Sequence, residues 1–241
     1  MGHALHSLCF IVFPLVFVFT IFNLGHILFG KAVFNHPIAR HTYSLFGLIG
    51  TPIHELSHLV MALLFGHKIT GVKLFSWRTK AYVSHSYNAS SSFQVMGNFF
   101  IAIAPFMTSI ALVQYLAFRS LNFTIDLSVD PFIVFGNALT LAPELLLMFA
   151  KSTEWWQFAL AIMLSFYCVP SNTDFSNALR SALLSLPVFL IMAFVATMVF
   201  VDMGQIVGTI LFMGLLSSIT SVIWWFLLFG LTFIPTRSLN H

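Results

Sequence analysis

The chain has 241 residues, of which 59% are hydrophobic and 7% charged, with ten Lys and Arg against seven Asp and Glu. A soluble domain carries about 25% charged residues, so this surface cannot face water on all sides. Composition therefore excludes a soluble globular enzyme, a disordered segment and a nucleic-acid-binding domain, and leaves an integral membrane protein.

At about 20 apolar residues per crossing, the length accommodates six or seven transmembrane helices in a single membrane domain. The expected fold class is an all-α polytopic membrane protein. The mean hydropathy of +0.96 agrees with this. The net charge of +3 comes from dispersed Lys and Arg. These read as loop residues facing lipid headgroups, which makes the bilayer a partner and nucleic acid not one. Cys9 and Cys168 both lie in apolar runs and indicate no disulfide framework.

Charge-free stretches mark the spans in chain order. Leu8–Phe29 is the first; with no basic residue before Lys31 and no cleavage pattern after it, it reads as a retained span and not a signal peptide. A short loop is expected around Lys31, Pro37 and Arg40. The second span, Tyr43–Phe65, is interrupted by Glu55 with His54 and His58. Ile69–Phe75 and Ala81–Tyr87 are rich in β-branched and aromatic residues and predict a short β-hairpin. Phe93–Phe118 gives the third span, and Ile133–Ala150 a fourth that is broken at Pro143 and Glu144. Trp155–Val169 is a short fifth, stopped by Pro170, because the residue before a proline resists helical dihedrals. A segment from Ser171 follows and is apolar over Leu183–Val201. The last span is Gln205–Ile234, where Gly204-x-x-x-Gly208 is a helix-packing pattern.

The string that carries chemistry is His54-Glu55-Leu56-Ser57-His58. Residues i and i+4 of a helix lie about 40° apart around its axis, so both imidazoles face one way and offer two ligands to one Zn²⁺. Glu55 beside them suits the base that deprotonates water. With ten His and three Glu in the chain, H-E-x-x-H is expected by chance only roughly 0.005 times. A charged Glu at mid-span costs at least ~2.5 kcal/mol, which weighs against a purely structural polar knot.

A catalytic zinc site takes three protein ligands and leaves one position open. His85, Glu144 and Asp174 are the candidates for the third. Asp174 follows a proline break, where an interrupted helix can present a carboxylate at membrane depth. Ser171-x-x-Asp174 also has the form of an ordinary helix start. Glu144 could instead serve as a hydrogen-bond acceptor behind a ligand histidine, and His85 reads most simply as an exposed loop residue.

His54-Glu55-x-x-His58 within a span, followed by the basic, β-prone Leu64–Val72, resembles the site-2 protease (M50-like) class of intramembrane zinc metalloproteases. In that class an Asp in a later broken span is the third zinc ligand, and Pro170-Ser171-Asn172-Thr173-Asp174 resembles that motif. The resemblance therefore implies zinc on His54, His58 and Asp174, and covers roughly Tyr43 to Leu184. Thr173-Asp174-Phe175 stands where the class has Leu-Asp-Gly. Gly97-Asn98, with Pro105 further on, stands where it has Gly-Pro-x-x-Asn. The chain reads as a divergent branch with no room for a PDZ domain. The CAAX-type membrane protease pattern fits less well, because Met148 stands four residues after Glu144.

The function expected on this reading is hydrolysis of peptide bonds in transmembrane or membrane-associated protein substrates, in a bacterial cytoplasmic membrane. Glu55 is then the catalytic base. Asn98, an amide within an apolar span, is a candidate donor to the oxyanion. The alternatives are a zinc or proton transporter and an inactive protease-like protein. The scarcity of acids within the spans argues against an extended ion relay.

Overall fold

In the computed structural model, which describes residues 2–77, 80–116, 124–199 and 203–235, helices dominate and one two-stranded sheet interrupts them. Phe118, Val201 at the end of the apolar run Leu183–Val201, and Arg78 and Thr79 lie outside the described residues.

Helix α1 (Gly2–Asn35) and helix α2 (Pro37–Leu64) are joined by His36 alone. This corrects the expected loop: Lys31 and Arg40 are both helical. The reason is local. Pro37 occupies the first helical position, where a missing N–H costs nothing, so the chain can turn without a loop. His36 is extended and its Nδ1 accepts from the Ala39 N–H at 3.4 Å. Its Nε2 then donates to the Ile234 carbonyl at 3.1 Å, tying the joint to the turn that follows the last described helix.

Helix α2 stops in a Schellman arrangement. The Gly66 N–H bonds the Leu63 carbonyl at 3.0 Å and the His67 N–H the Ala62 carbonyl at 2.9 Å. Gly66 has φ of +70°, a left-handed conformation that favours glycine. The chain enters strand β1 (Lys68–Lys73) directly, and β1 pairs antiparallel with β2 (Tyr82–Ser86), as the sequence predicts. Ile69 faces His85 and Val72 faces Val83, with an irregularity between Ile69 and Gly71 that adds a residue to β1 only.

Helix α3 (Ser92–Leu116) follows. The expected fourth span is two helices, α4 (Pro131–Thr140) and α5 (Ala142–Ser152), bent by 65° about Leu141. Helix α6 (Trp155–Tyr167) ends just before Pro170, α7 (Asn172–Val199) starts just after it, and α8 (Met203–Leu231) is the last described helix. Among the described residues, four helices, within α1, α2, α3 and α8, are long and apolar enough to cross a membrane, or five if the bent pair counts as one span.

Helix α1 lies along α8, and α3 lies against both α2 and α7. Gly204 and Gly208 are buried, but the described close approaches of α1 to α8 involve other glycines. A Cβ on Gly214 would sit 2.5 Å from the Pro14 Cβ, and one on Gly25 would collide with the Trp225 ring. Trp225 anchors an aromatic cluster with Phe22, Phe34, Tyr43 and Phe166. A second cluster, including Val18, Phe106, Phe149, Leu164 and Met213, fills the interior between α1, α3, α5, α6 and α8.

Candidate metal centre

Residues His54, Glu55 and His58 sit in the C-terminal half of α2, with Glu55 and His58 buried. Each histidine is held by a backbone carbonyl of a neighbouring helix. His54 Nδ1–H donates to Tyr167 O of α6 at 3.0 Å, and His58 Nδ1–H to Ile101 O of α3 at 2.8 Å. A carbonyl only accepts, so these bonds fix the tautomer of both rings. In the neutral rings both Nε2 atoms therefore carry lone pairs, and they face one another at 3.0 Å.

The carbonyl that holds His54 is itself placed by close packing. The Tyr167 hydroxyl donates to the Tyr43 carbonyl, pinning the end of α6 to α2. Gly50, one turn before His54, makes the approach possible: a Cβ there would lie 2.4 Å from the Tyr167 Cβ. Gly97 does the same for α3, where a Cβ would meet the Phe65 side chain at 2.6 Å beside Asn98. The two small residues thus bring three helices close enough for backbone carbonyls to orient the two imidazole rings.

Asp174, in the first turn of α7, brings a carboxylate to the histidine pair. Its Oδ1 lies 3.5 Å from His58 Nε2 and its Oδ2 3.8 Å from His54 Nε2. Asp174 Oδ2 also accepts from the Ser171 N–H at 2.8 Å and from the Ser171 hydroxyl at 2.6 Å, while the Asp174 N–H donates to Ser171 Oγ at 3.3 Å. The helix-start reading of Asp174 therefore holds, and its carboxylate also lies beside both histidines. The carboxylate closes the start of α7, and the same geometry fixes where it meets the histidines. Phe175, at the position where the resembled class has glycine, stacks on Phe19 of α1 with ring centroids 3.8 Å apart.

The ligand atoms of His54, His58 and Asp174 all lie within 4.8 Å of one another, and this group could hold a metal ion. Glu55 is not one of the three. Its carboxyl lies against the backbone of Val83 in β2, beside the group. Glu144 does not join them: it is exposed on α5, in an open recess with Leu147, Met148 and Lys151, and α5 packs on α4 and α6.

A cavity of about 90 Å³ opens beside the group and is lined by His58, Asp174, Val83, Asn98, His85 and Asn177, among others. That is room for a few waters. Asn98 is buried and lines this cavity, where the sequence reading wanted a donor. Asn177, one turn after Asp174 on the same face of α7, is a cavity residue the sequence reading missed; its helical spacing from Asp174 was the available signal.

The structure also corrects the reading of His85. It is half-buried on β2 and lines the cavity, because the hairpin folds back over the end of α2. Burial and then the neighbouring His67 hold its imidazole below the usual histidine range, toward the neutral form. Comparison with protein-family models, with curated proteins and with solved structures finds no match to this chain.

Proposed function

We propose that the chain is a zinc metallopeptidase of the site-2 protease type, acting on transmembrane or membrane-associated protein substrates in a bacterial cytoplasmic membrane. One observation carries the reading: two tautomer-locked Nε2 lone pairs and a carboxylate converge on one point within a helical membrane bundle, with a second carboxylate beside them. In this reading α6, α7 and the bent α4–α5 pair add to the four clear spans, giving six or seven crossings.

The donor set suits zinc. Ligands bound at about 2.05 Å around a tetrahedral ion lie about 3.3 Å apart. The two Nε2 atoms lie 3.0 Å apart, the carboxylate approaches His58 at 3.5 Å through Oδ1 and His54 at 3.8 Å through Oδ2, and one atom from each residue lies within 4.8 Å of the others. Two imidazoles and one carboxylate leave a fourth position for water, as a catalytic zinc requires. The carbonyls of Tyr167 and Ile101 supply the outer hydrogen bonds that orient ligand histidines.

Zinc bound there would acidify a water molecule and polarise a scissile carbonyl. Glu55 takes the proton from that water and returns it to the departing amine. The Asn98 side-chain amide donates to the oxygen of the carbonyl under attack. A helical substrate must first lose its own backbone pairing, and the hairpin edge offers an extended segment new partners. Prolines at Val72 and Ser84, which disturb the pairing of each strand, are expected to reduce cleavage about tenfold or more. Unchanged cleavage in both variants would remove the hairpin from the mechanism.

The reading as a whole is tested by metal removal. Purified protein in detergent is incubated with a single-span helical reporter, and products are followed by mass spectrometry. Cleavage that stops on treatment with 1,10-phenanthroline and returns with one equivalent of Zn²⁺ is the expected result. Cleavage indifferent to the chelator would overturn it.

A further inference from the structure

Outside the three metal-capable residues, the hairpin brings together a second pair of histidines. His67, which follows the end of α2, is 4% exposed, and its Nδ1 lies 2.9 Å from the Nδ1 of His85 on β2. The His67 Nε2 lies 2.8 Å from the Gln94 carbonyl at the start of α3. The Tyr87 ring stacks on His67 with centroids 5.3 Å apart.

These contacts determine where the hydrogens are. The Gln94 carbonyl accepts, so His67 Nε2 carries a hydrogen and, in the neutral ring, His67 Nδ1 is a lone pair. The short contact between the two Nδ1 atoms then requires His85 to donate from its own Nδ1. The remaining ring nitrogen of His85, Nε2, is consequently an acceptor, and His85 lines the cavity beside His58 and Asp174. Gln94 is fixed in turn: its side-chain oxygen accepts from the Asn88 N–H at 2.6 Å and its amide donates to the Gly66 carbonyl at 3.0 Å. Three separate pieces of chain, the end of α2, the exit of β2 and the start of α3, are thus locked around one imidazole.

We infer that His85 is a further catalytic residue of the proposed hydrolysis, its Nε2 accepting a hydrogen bond from the water that Glu55 deprotonates, and that His67 is the positioning residue that keeps His85 in this tautomer. The inference rests on the metallopeptidase reading and adds a second acceptor to it. A water has two hydrogens. With one directed to Glu55, which lies against the backbone of the cavity residue Val83, and the other to His85, its lone pairs are turned away from both and its orientation is fixed. With Glu55 alone the water is free to rotate about a single hydrogen bond, and orientation is what effective intramolecular attack depends on. The histidine pair places a neutral acceptor where another carboxylate would add negative charge next to Asp174.

The test separates this role from metal binding and from folding. Asparagine approximates the Nδ1 edge of histidine and glutamine the Nε2 edge. His85→Asn should therefore keep the bond to His67, retain one zinc per chain and lower turnover of the helical reporter about 100-fold at little changed KM. His85→Gln should recover part of that loss. Nitrogen-15 NMR of the protein as purified gives an activity-independent readout: His85 should appear with Nε2 unprotonated, and His67→Phe should release it to a mixture of tautomers while zinc content is unchanged. A wild-type His85 protonated on Nε2, or His85→Asn with wild-type turnover, would overturn the inference. Loss of zinc in His85→Asn would do so too, by making His85 a ligand. Failure of the parent reading is distinct, because it appears in the wild type as absence of zinc or of cleavage.

Discussion

Glu55→Gln is expected to keep its zinc and to lose peptide hydrolysis by at least about 100-fold, the usual contribution of a general base. Glutamine has the shape of glutamate and preserves a polar side chain against the Val83 backbone, yet it cannot accept and return a proton. Because Glu55 is not among the three converging donors, the metal should not notice the change. Elemental analysis and reporter cleavage on the same preparation check both halves. Zinc lost along with activity would make Glu55 a ligand, and hydrolysis retained at the wild-type rate would place the base elsewhere.

Asp174→Ala carries the second large effect. Removing one of three ligands is expected to weaken zinc binding by more than about 100-fold, beyond the 10–100-fold typical of losing an outer hydrogen bond to a ligand. The same substitution opens the start of α7, where losing a cap costs about 1 kcal/mol. Ser171→Ala separates the two consequences. It removes the hydroxyl partner of Asp174 Oδ2 while leaving the carboxylate facing His58, so zinc should remain. Glu144→Ala, on the exposed face of α5, should also leave zinc in place. Zinc retained in Asp174→Ala and lost in Glu144→Ala would overturn the ligand assignment.

The same residues show how far the sequence could be read. His54, Glu55 and His58 were legible because helical geometry alone puts residues four apart on one face, whatever surrounds the helix. The hairpin was legible from its β-branched and aromatic pattern, and the break at Pro170 from proline's effect on its neighbour. Asp174 was legible only as two competing readings, capping and ligation, which local spacing cannot rank. The structure shows that they are compatible, since one oxygen faces Ser171 and the other faces His58.

What stayed hidden depends on contacts between segments distant along the chain. His67 meets His85 across the hairpin and Gln94 on the next helix, and no local pattern announces that a buried imidazole will take its hydrogen bond from there. The carbonyls of Tyr167 and Ile101 hold the His54 and His58 rings from the backbone, where sequence carries no residue-type signal at all. Gly50 and Gly97 matter for the same hidden reason, the absence of a side chain where two helices approach closely. The one-residue joint at His36 escaped because Pro37 and Arg40 look like loop residues until the proline is placed at a helix start.

On the proposed function, His54, His58 and Asp174 hold a single zinc ion among the membrane helices. The most direct test is the metal content of the wild-type protein, purified in detergent without added metal or chelator, by inductively coupled plasma mass spectrometry. One zinc per chain is the expected result. Protein that is folded, helical and free of zinc, and that takes up none when Zn²⁺ is supplied, would contradict it.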